Sequence, residues 1–192
     1  MVGLMWSLPF LQPHHRYPLT SFYSEWLAFA LGLVALAPLA EKQAWRNMQL
    51  PLVALFPLGL IALLILQCTL DRVPYAGQAL TAALYLVWVV LLMMLGNLLR
   101  RALGMAAVSI VLAWFVLAGG LLSALGALLQ HYHVATVLDA MIAKKAASAV
   151  FGNLAQPNHF ASYATLALVS LAYLFARGSL NRTAAVACGV PL

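Results

Sequence analysis

The amino-acid sequence predicts an all-α protein built as a polytopic bundle of transmembrane helices. Hydrophobic residues make up 65% of the 192 residues and charged residues only 7%, which is too little charge to cover a water-soluble domain of this size. The apolar residues stand in continuous runs of about 20 rather than in alternation with polar residues, which favours membrane helices over the strands of a closed barrel.

Five apolar runs are long enough to cross a bilayer, and each predicts one full membrane helix. They cover residues 22–40, 51–70, 79–99, 102–129 and 158–176. Two shorter apolar stretches, 1–11 and 183–192, predict parts of further membrane helices, and the first lacks the basic start and cleavage site of a signal peptide. We therefore expect residues 1–192 to form a single transmembrane domain that is truncated at both ends.

The run 102–129 is rich in small residues, which predicts close packing of this helix against a neighbour. These residues are Gly119, Gly120, Ser123, Ala124, Gly126 and Ala127. Because small side chains about four residues apart let two helix backbones approach each other, we expect this run to lie inside the bundle.

The basic residues of the loops predict the orientation of the bundle. Alternation of the helices puts six of them on one side, which the positive-inside rule makes cytoplasmic, and four on the outer side. The six are Lys42, Arg46, Arg100, Arg101, Arg177 and Arg182, and the four are Arg16, Arg72, Lys144 and Lys145. Because the basic residues are scattered through short loops, the net charge of +6 predicts a membrane topology and no nucleic-acid partner.

The longest outer segment, residues 130–157, predicts a short amphipathic helix that lies on the membrane surface. Apolar residues recur there at helical spacing among polar and small neighbours. They are Val134, Val137, Leu138, Met141 and Ile142.

A polar loop leads from this segment into the last long apolar run. Residues 151–161 read Phe-Gly-Asn-Leu-Ala-Gln-Pro-Asn-His-Phe-Ala, and Pro157 suits the first turn of a helix, where its missing N–H costs nothing. The start of such a helix presents unpaired N–H groups and the positive end of the helix dipole, which suit an anion such as a phosphate. Amides and an imidazole at this position are costly in a membrane protein, which indicates a function.

We therefore predict a pyrophosphate or sugar site at this helix start. The predicted substrate-binding residues are Asn153, Gln156, Asn158 and His159, with Lys144, Lys145 and Arg72 as candidate phosphate cations. The alternative is that these side chains form only a helix cap with an interfacial histidine.

Other polar residues give weaker signals. His14 and His15, and likewise His131 and His133, have spacings that lack the nearby cysteines or paired acids of a zinc site, so we predict no metal. Glu25 either complements the dipole of its helix or faces an outer cavity. The sequence contains no Gly-rich nucleotide loop and no Gly-x-Ser-x-Gly motif, and it identifies no catalytic base.

The motif at residues 151–161 resembles the signature of bacterial protein O-oligosaccharyltransferases, the pilin glycosylation ligases of the O-antigen ligase and polymerase superfamily. Its core is Gly-Asn-x-x-Gln-Pro-Asn-His. Residues 9–28 are also similar to the first outer loop and second helix of that family. The rest of the resemblance, which extends over nearly the whole chain, is mostly one of hydropathy.

This resemblance implies transfer of an assembled oligosaccharide from an undecaprenyl-pyrophosphate carrier to a Ser or Thr hydroxyl of a pilin-like or other acceptor protein. The reaction would take place at the periplasmic face of the bacterial inner membrane, without a nucleotide sugar, metal or other cofactor. The resemblance also implies that Gln156 matters for activity. It places further key residues beyond Leu192, so we expect this chain to be the N-terminal part of a longer architecture and to be incomplete as a catalyst.

Two alternatives stay open at this point. One is an O-antigen ligase or polymerase of the same superfamily, whose acceptor is the lipid A core or a growing glycan. The other is a non-catalytic membrane fragment or a transporter subunit. A transporter is disfavoured because its ionisable groups would lie near the bilayer midplane, whereas the polar residues here gather at the outer ends of the runs.

Overall fold

The computed structural model describes residues 1–15, 20–42, 45, 49–133, 138, 141–143, 150–154 and 156–192. Within these residues all regular structure is helical, which confirms the all-α class. The α-helices are α1 (Val2–Met5), α2 (Phe22–Ala35), α3 (Leu55–Thr69), α4 (Ala76–Leu103), α5 (Met105–Tyr132), α6 (Pro157–Ala176) and α7 (Arg182–Gly189). Short 3-10 helices occupy Leu8–Phe10, Ala37–Ala40 and Leu52–Ala54.

Four of the described helical segments are long and apolar enough to cross a membrane. They are Leu52–Thr69, Ala76–Leu103, Met105–Tyr132 and Pro157–Ala176. These segments correspond to four of the five predicted runs. At most 28% of the most apolar window of any of them is buried within the protein, so their exposed apolar faces suit contact with lipid.

The fifth predicted run, residues 22–40, differs from the expectation. It is α-helical for only 14 residues, over Phe22–Ala35, and then turns into the 3-10 helix Ala37–Ala40. Pro38 explains the break, because a proline has no N–H for the helical hydrogen bond and its ring clashes with the carbonyl group of Val34 in an α-helix. The predicted amphipathic helix lies mostly outside the described residues and stays a prediction.

The chain divides into two compact units, Met1–Val34 with Ala106–Leu192, and Ala35–Met105. In the second unit, α3 packs against α4. The Asn97 side chain of α4 donates a hydrogen bond of 2.8 Å to the carbonyl group of Gln49. The helix ends at Gly104, whose φ of +82° suits glycine. The single transmembrane domain expected from the sequence stays a prediction.

In the first unit, α5 and α6 approach each other closely through two glycines. A Cβ atom at Gly119 would overlap the Tyr163 hydroxyl group, and one at Gly120 would overlap the side chain of Ala167. Ala167 is fully buried and Tyr163 is only 3% exposed. The small residues of α5 therefore permit the close packing that their spacing predicted.

The core of the first unit is formed by two clusters of apolar side chains. One joins Ala113 and Leu117 of α5 to Leu171 and Leu174 of α6, with residues of α7 packed against it. The other consists of Val116, Leu154 and Tyr163, with Phe10 and Phe160 packed against it. The second cluster joins the N-terminal segment, the loop before α6 and the start of α6, and this junction positions the candidate site.

Candidate functional site

The site is built around the loop that precedes α6, called here the motif loop and described at residues 150–154 and 156. Gly152 lies in this loop with a φ of +55°, a left-handed conformation that glycine adopts at little cost. A Cβ atom at Gly152 would lie 3.0 Å from the carbonyl oxygen of Ser123 in α5. Only glycine therefore fits here without strain, because the loop lies directly on α5.

Gln130, in the last turn of α5, holds the motif loop with its side-chain amide. Its Nε2 donates to the carbonyl group of Ala143 at 2.7 Å and, in a longer contact of 3.4 Å, to that of Gly152. Its Oε1 accepts from the N–H groups of Phe151 and Gly152 at 3.1 and 3.2 Å. The side chain is only 6% exposed, so these bonds satisfy both the amide and loop backbone groups that water reaches poorly.

Asn153 joins the motif loop to two other segments. Its Nδ2 donates to the carbonyl groups of Leu11 at 2.6 Å and Met141 at 2.8 Å. Its Oδ1 accepts from the N–H group of Ala143 at 2.8 Å. The Asn153 side chain, which the sequence assigned to substrate contact, therefore bonds three backbone groups. These hydrogen bonds hold the shape of the loop. Direct contact of Asn153 with a substrate stays a prediction.

His15 connects the motif loop to the segment before α2. Its Nε2 lies 2.8 Å from the carbonyl oxygen of Asn153, and its Nδ1 lies 2.9 Å from that of Thr20. Close by, the Gln12 side chain donates a hydrogen bond of 2.8 Å to the Ser24 hydroxyl group in the first turn of α2. The N-terminal segment therefore bridges α2 and the motif loop.

These segments line an open cavity of about 580 Å³ within the first unit. Its apolar lining comes from Met5, Pro9, Phe10, Ala28, Leu154, Tyr163 and Leu166, and its polar lining from His15, Thr20, Ser21, Ser24, Glu25, Asn153, Gln156, His159 and Ser162. A mostly apolar cavity with a few converging polar groups is the usual form of a small-molecule site. Glu25 faces this cavity, as one of the two interpretations of the sequence proposed.

Gln156 and His159 are the two predicted residues that line the cavity from the start of α6. Gln156 is the N-cap residue of the helix, and its side chain makes no capping hydrogen bond. Its carbonyl group accepts the first helical bond from Phe160 at 3.1 Å. Since α6 lacks a side-chain cap among the described residues, the explanation that Gln156 serves only as a cap does not apply.

The remaining predicted residues are Asn158, Lys144, Lys145 and Arg72. Asn158 is exposed, is absent from the lining of the cavity, and its carbonyl group accepts a hydrogen bond of 2.9 Å from the Ser162 hydroxyl group. Lys144 and Lys145 lie outside the described residues. Arg72 belongs to the second unit, in the turn between α3 and α4, where its N–H group donates to the carbonyl group of Gln67 at 2.9 Å. In the described part of the chain, no three His, Cys, Asp or Glu residues gather as metal ligands would.

Sequence reasoning did not single out Gln130. One signal was available, because Gln130 is an uncharged amide in the last turn of an otherwise apolar helix and follows the row of small residues. A polar side chain at such a position needs a partner that the membrane cannot supply. The partner, a loop more than 10 residues further along the chain, is evident only from the structure.

Comparisons with known proteins agree on one family. Residues 150–175 match the family described as protein glycosylation ligase. Over 187 residues the chain is 29% identical to the general O-oligosaccharyltransferase of Acinetobacter baylyi (strain ATCC 33305 / BD413 / ADP1), an alignment that covers 95% of this chain and 31% of that protein. No solved structure matches the chain. The resemblance predicted from the motif is confirmed: the chain is similar to the protein O-oligosaccharyltransferases of the protein glycosylation ligase type.

Proposed function

We propose that the cavity beside α6 is the donor site of a protein O-glycosylation ligase. In this proposal it binds the pyrophosphate and first sugar of an undecaprenyl-linked oligosaccharide at the periplasmic face of the inner membrane. The glycan passes to a Ser or Thr hydroxyl group of a pilin-like or other acceptor protein. The observation that carries the proposal is the position of Gln156, which lines the cavity and whose side chain makes no capping bond.

The start of α6 supports binding of a pyrophosphate. Pro157 occupies the first helical position, so the backbone N–H groups that follow it belong to Asn158 and His159. Such N–H groups and the positive end of the helix dipole attract an anion. The side chains of Gln156 and His159 add further hydrogen-bond donors on the cavity side.

The chemistry of transfer requires stabilisation of the leaving group. The acceptor oxygen forms a new bond to the anomeric carbon of the first sugar, and the bond from that carbon to the pyrophosphate oxygen breaks. The electron pair of the broken bond stays on the pyrophosphate, and the acceptor hydroxyl group loses its proton to a base. Hydrogen-bond donors fixed around the pyrophosphate favour this step because they stabilise the charge that develops there.

The surface of α6 supports access for a lipid donor. Leu166 lines the cavity and is also 47% exposed, so the cavity adjoins the apolar outer face of the helix. A prenyl chain placed along this face would remain in the hydrocarbon while its pyrophosphate entered the cavity. A water-soluble sugar donor would gain nothing from such a position.

Donor binding by this chain in lipid nanodiscs tests the proposal. Undecaprenyl-pyrophosphate-linked oligosaccharide is titrated, and bound donor is measured by native mass spectrometry. Gln156→Ala removes one or two hydrogen bonds to a charged group, so we expect affinity to fall about 10-fold or more. Gln78→Ala is the matched control, because Gln78 lies exposed in the first turn of another apolar helix, α4.

Equal affinity of Gln156→Ala and the wild-type chain would refute the proposed donor site. The acceptor is tested separately, in cells that make the donor and carry the gene product with and without Gln156→Ala. Loss of glycan from an acceptor protein supports protein glycosylation. Loss of glycan from lipid A core instead would replace that acceptor with the one of an O-antigen ligase.

A further inference from the structure

We propose that His15 is a positioning residue that acts as an imidazolium ion and ties the motif loop to the start of α2. The tie would hold two walls of the cavity together and place a positive charge on that lining. Its consequence for donor binding rests on the proposed function. The tie itself rests only on the contacts of His15.

Two backbone carbonyl groups face the two ring nitrogens of His15. The Nδ1 atom lies 2.9 Å from the carbonyl oxygen of Thr20, and the Nε2 atom lies 2.8 Å from that of Asn153. A carbonyl oxygen only accepts hydrogen bonds, so each ring nitrogen can bond its carbonyl group only by donating an N–H. A neutral imidazole carries one N–H group, whereas the imidazolium ion carries two. The protonated ring is therefore the form that satisfies both contacts.

The Gln12 amide does not change this assignment. Its Nε2 lies 3.5 Å from the Nδ1 atom of His15, beyond the usual length of a hydrogen bond. The same nitrogen donates to the Ser24 hydroxyl group at 2.8 Å. That bond uses one of the two N–H groups of the amide, and the Nδ1 atom of His15 lies much closer to the carbonyl oxygen of Thr20, at 2.9 Å, than to Gln12.

The tie joins parts of the chain that are far apart in sequence. His15 and Asn153 are separated by 138 positions, and Asn153 itself contacts Leu11, Met141 and Ala143 through its side chain. On the other side, the carbonyl group of Thr20 lies just before α2. Loss of either His15 contact would therefore remove one of the links between the wall that carries Ser21, Ser24 and Glu25 and the wall that carries Gln156.

The surroundings of His15 contain other groups that titrate. Glu25 of α2 lines the same cavity, as do His159 and Tyr163 of α6, and His14 precedes His15 in its own segment. As the pH rises, an imidazolium ion loses one N–H group, and one of the two carbonyl groups loses its donor. The motif loop should therefore be held more firmly at low pH than at high pH.

Hydrogen–deuterium exchange of the full chain in lipid nanodiscs measures this effect. The exchange rate of residues 150–156 is compared at pH 6.0 and pH 8.5, which lie on either side of the ordinary pKa of a histidine side chain. Both rates are corrected for the intrinsic pH dependence of exchange. For the wild-type chain we expect corrected exchange to be about tenfold faster at the higher pH, the effect of losing one hydrogen bond to a charged group. No donor lipid is present, so this result is independent of the proposed function.

Four variants distinguish a charged tie from simple packing. His15→Phe should exchange fast at both pH values, and His15→Arg should exchange slowly at both, because arginine keeps its charge and several N–H donors. His14→Phe is the matched control and should behave like the wild-type chain. His159→Gln should retain the pH response, which shows that the other cavity histidine does not cause it.

Nitrogen-15 labelling of the histidines tests the protonation of His15 directly in the wild-type chain. At pH 6.0 both ring nitrogens of His15 should show a directly bonded proton, with the signals assigned by their loss in His15→Gln. A single bonded proton at that pH would overturn the proposal. Wild-type exchange that does not change with pH, or His15→Phe exchange equal to that of the wild-type chain, would overturn it as well.

Discussion

Replacement of Gln130 by leucine is expected to destabilise the packing of the motif loop on α5. Leucine has a similar volume to glutamine but neither donates nor accepts hydrogen bonds. Three backbone groups would lose partners that lie 2.7–3.2 Å away, namely the carbonyl group of Ala143 and the N–H groups of Phe151 and Gly152. The fourth contact of Gln130, with the carbonyl group of Gly152, is 3.4 Å long and contributes little to the free energy that holds the loop.

The expected magnitude follows from the burial of these three groups. A buried backbone group without a partner costs about 1–3 kcal/mol, so the upper limit is about 9 kcal/mol. Ala143 and Gly152 are buried, whereas Phe151 is half-buried and can reach water. The lower end of the range is therefore appropriate, and we expect a loss of about 3 kcal/mol in the free energy that holds the loop on α5.

The assay is hydrogen exchange of residues 150–156 combined with denaturant titration of the chain in detergent micelles. Exchange reports the local free energy of opening, and the titration reports the stability of the whole chain. Gln78→Leu is the matched control, because Gln78 is exposed in the first turn of α4. A Gln130→Leu variant within about 0.5 kcal/mol of the wild-type chain in both measurements would show that the amide does not hold the loop, since exposed surface changes alone reach that size.

Two glycine substitutions test the packing that positions the site. Gly119→Ala should cost about 1–3 kcal/mol of stability in a denaturant titration, because the new methyl group overlaps the Tyr163 hydroxyl group. Gly126→Ala is the control, because Gly126 lies on the same helix but has no atom within 4 Å of the new methyl group. This variant should be neutral or should stabilise the chain by up to about 1 kcal/mol. Equal losses of stability for Gly119→Ala and Gly126→Ala would argue against the close approach of α5 and α6. Gly152→Ala should cost at least about 1 kcal/mol and speed exchange of the motif loop, because its φ is +55°. Unchanged exchange in that variant would contradict the left-handed turn.

The amides of the site fall into two groups with different tasks. Gln130 and Asn153 are buried, and their hydrogen bonds go to backbone groups of the loop and its neighbours. Gln156 lines the cavity, and its side chain makes no capping hydrogen bond. Rigid placement of a ligand-facing group by a surrounding set of hydrogen bonds is the arrangement that transition-state stabilisation requires. In this chain, Gln130 and Asn153 hold the loop that leads to Gln156, and Asn153 also lines the cavity.

Some features follow from local properties of the chain and were predicted from them. The class and four long helices follow from composition and from the length of the apolar runs, because a backbone in lipid has few ways to satisfy its hydrogen bonds. The start of α6 at Pro157 follows from the preference of proline for the first helical turn. The end of α2 could also have been predicted, because Pro38 lies inside the run 22–40. The prediction missed it because the run was assigned from hydropathy alone.

By itself the sequence determined the helical class, the family motif and the placement of Gln156 at the mouth of α6. Only the tertiary structure decided which polar residues face the cavity and which hold the loop. The contacts of Gln130 and Asn153 reach partners 10–142 positions away, and His15 contacts Asn153 across 138 positions. Such pairs depend on where separate segments meet when the helices pack, and no local pattern of residue types encodes that meeting point.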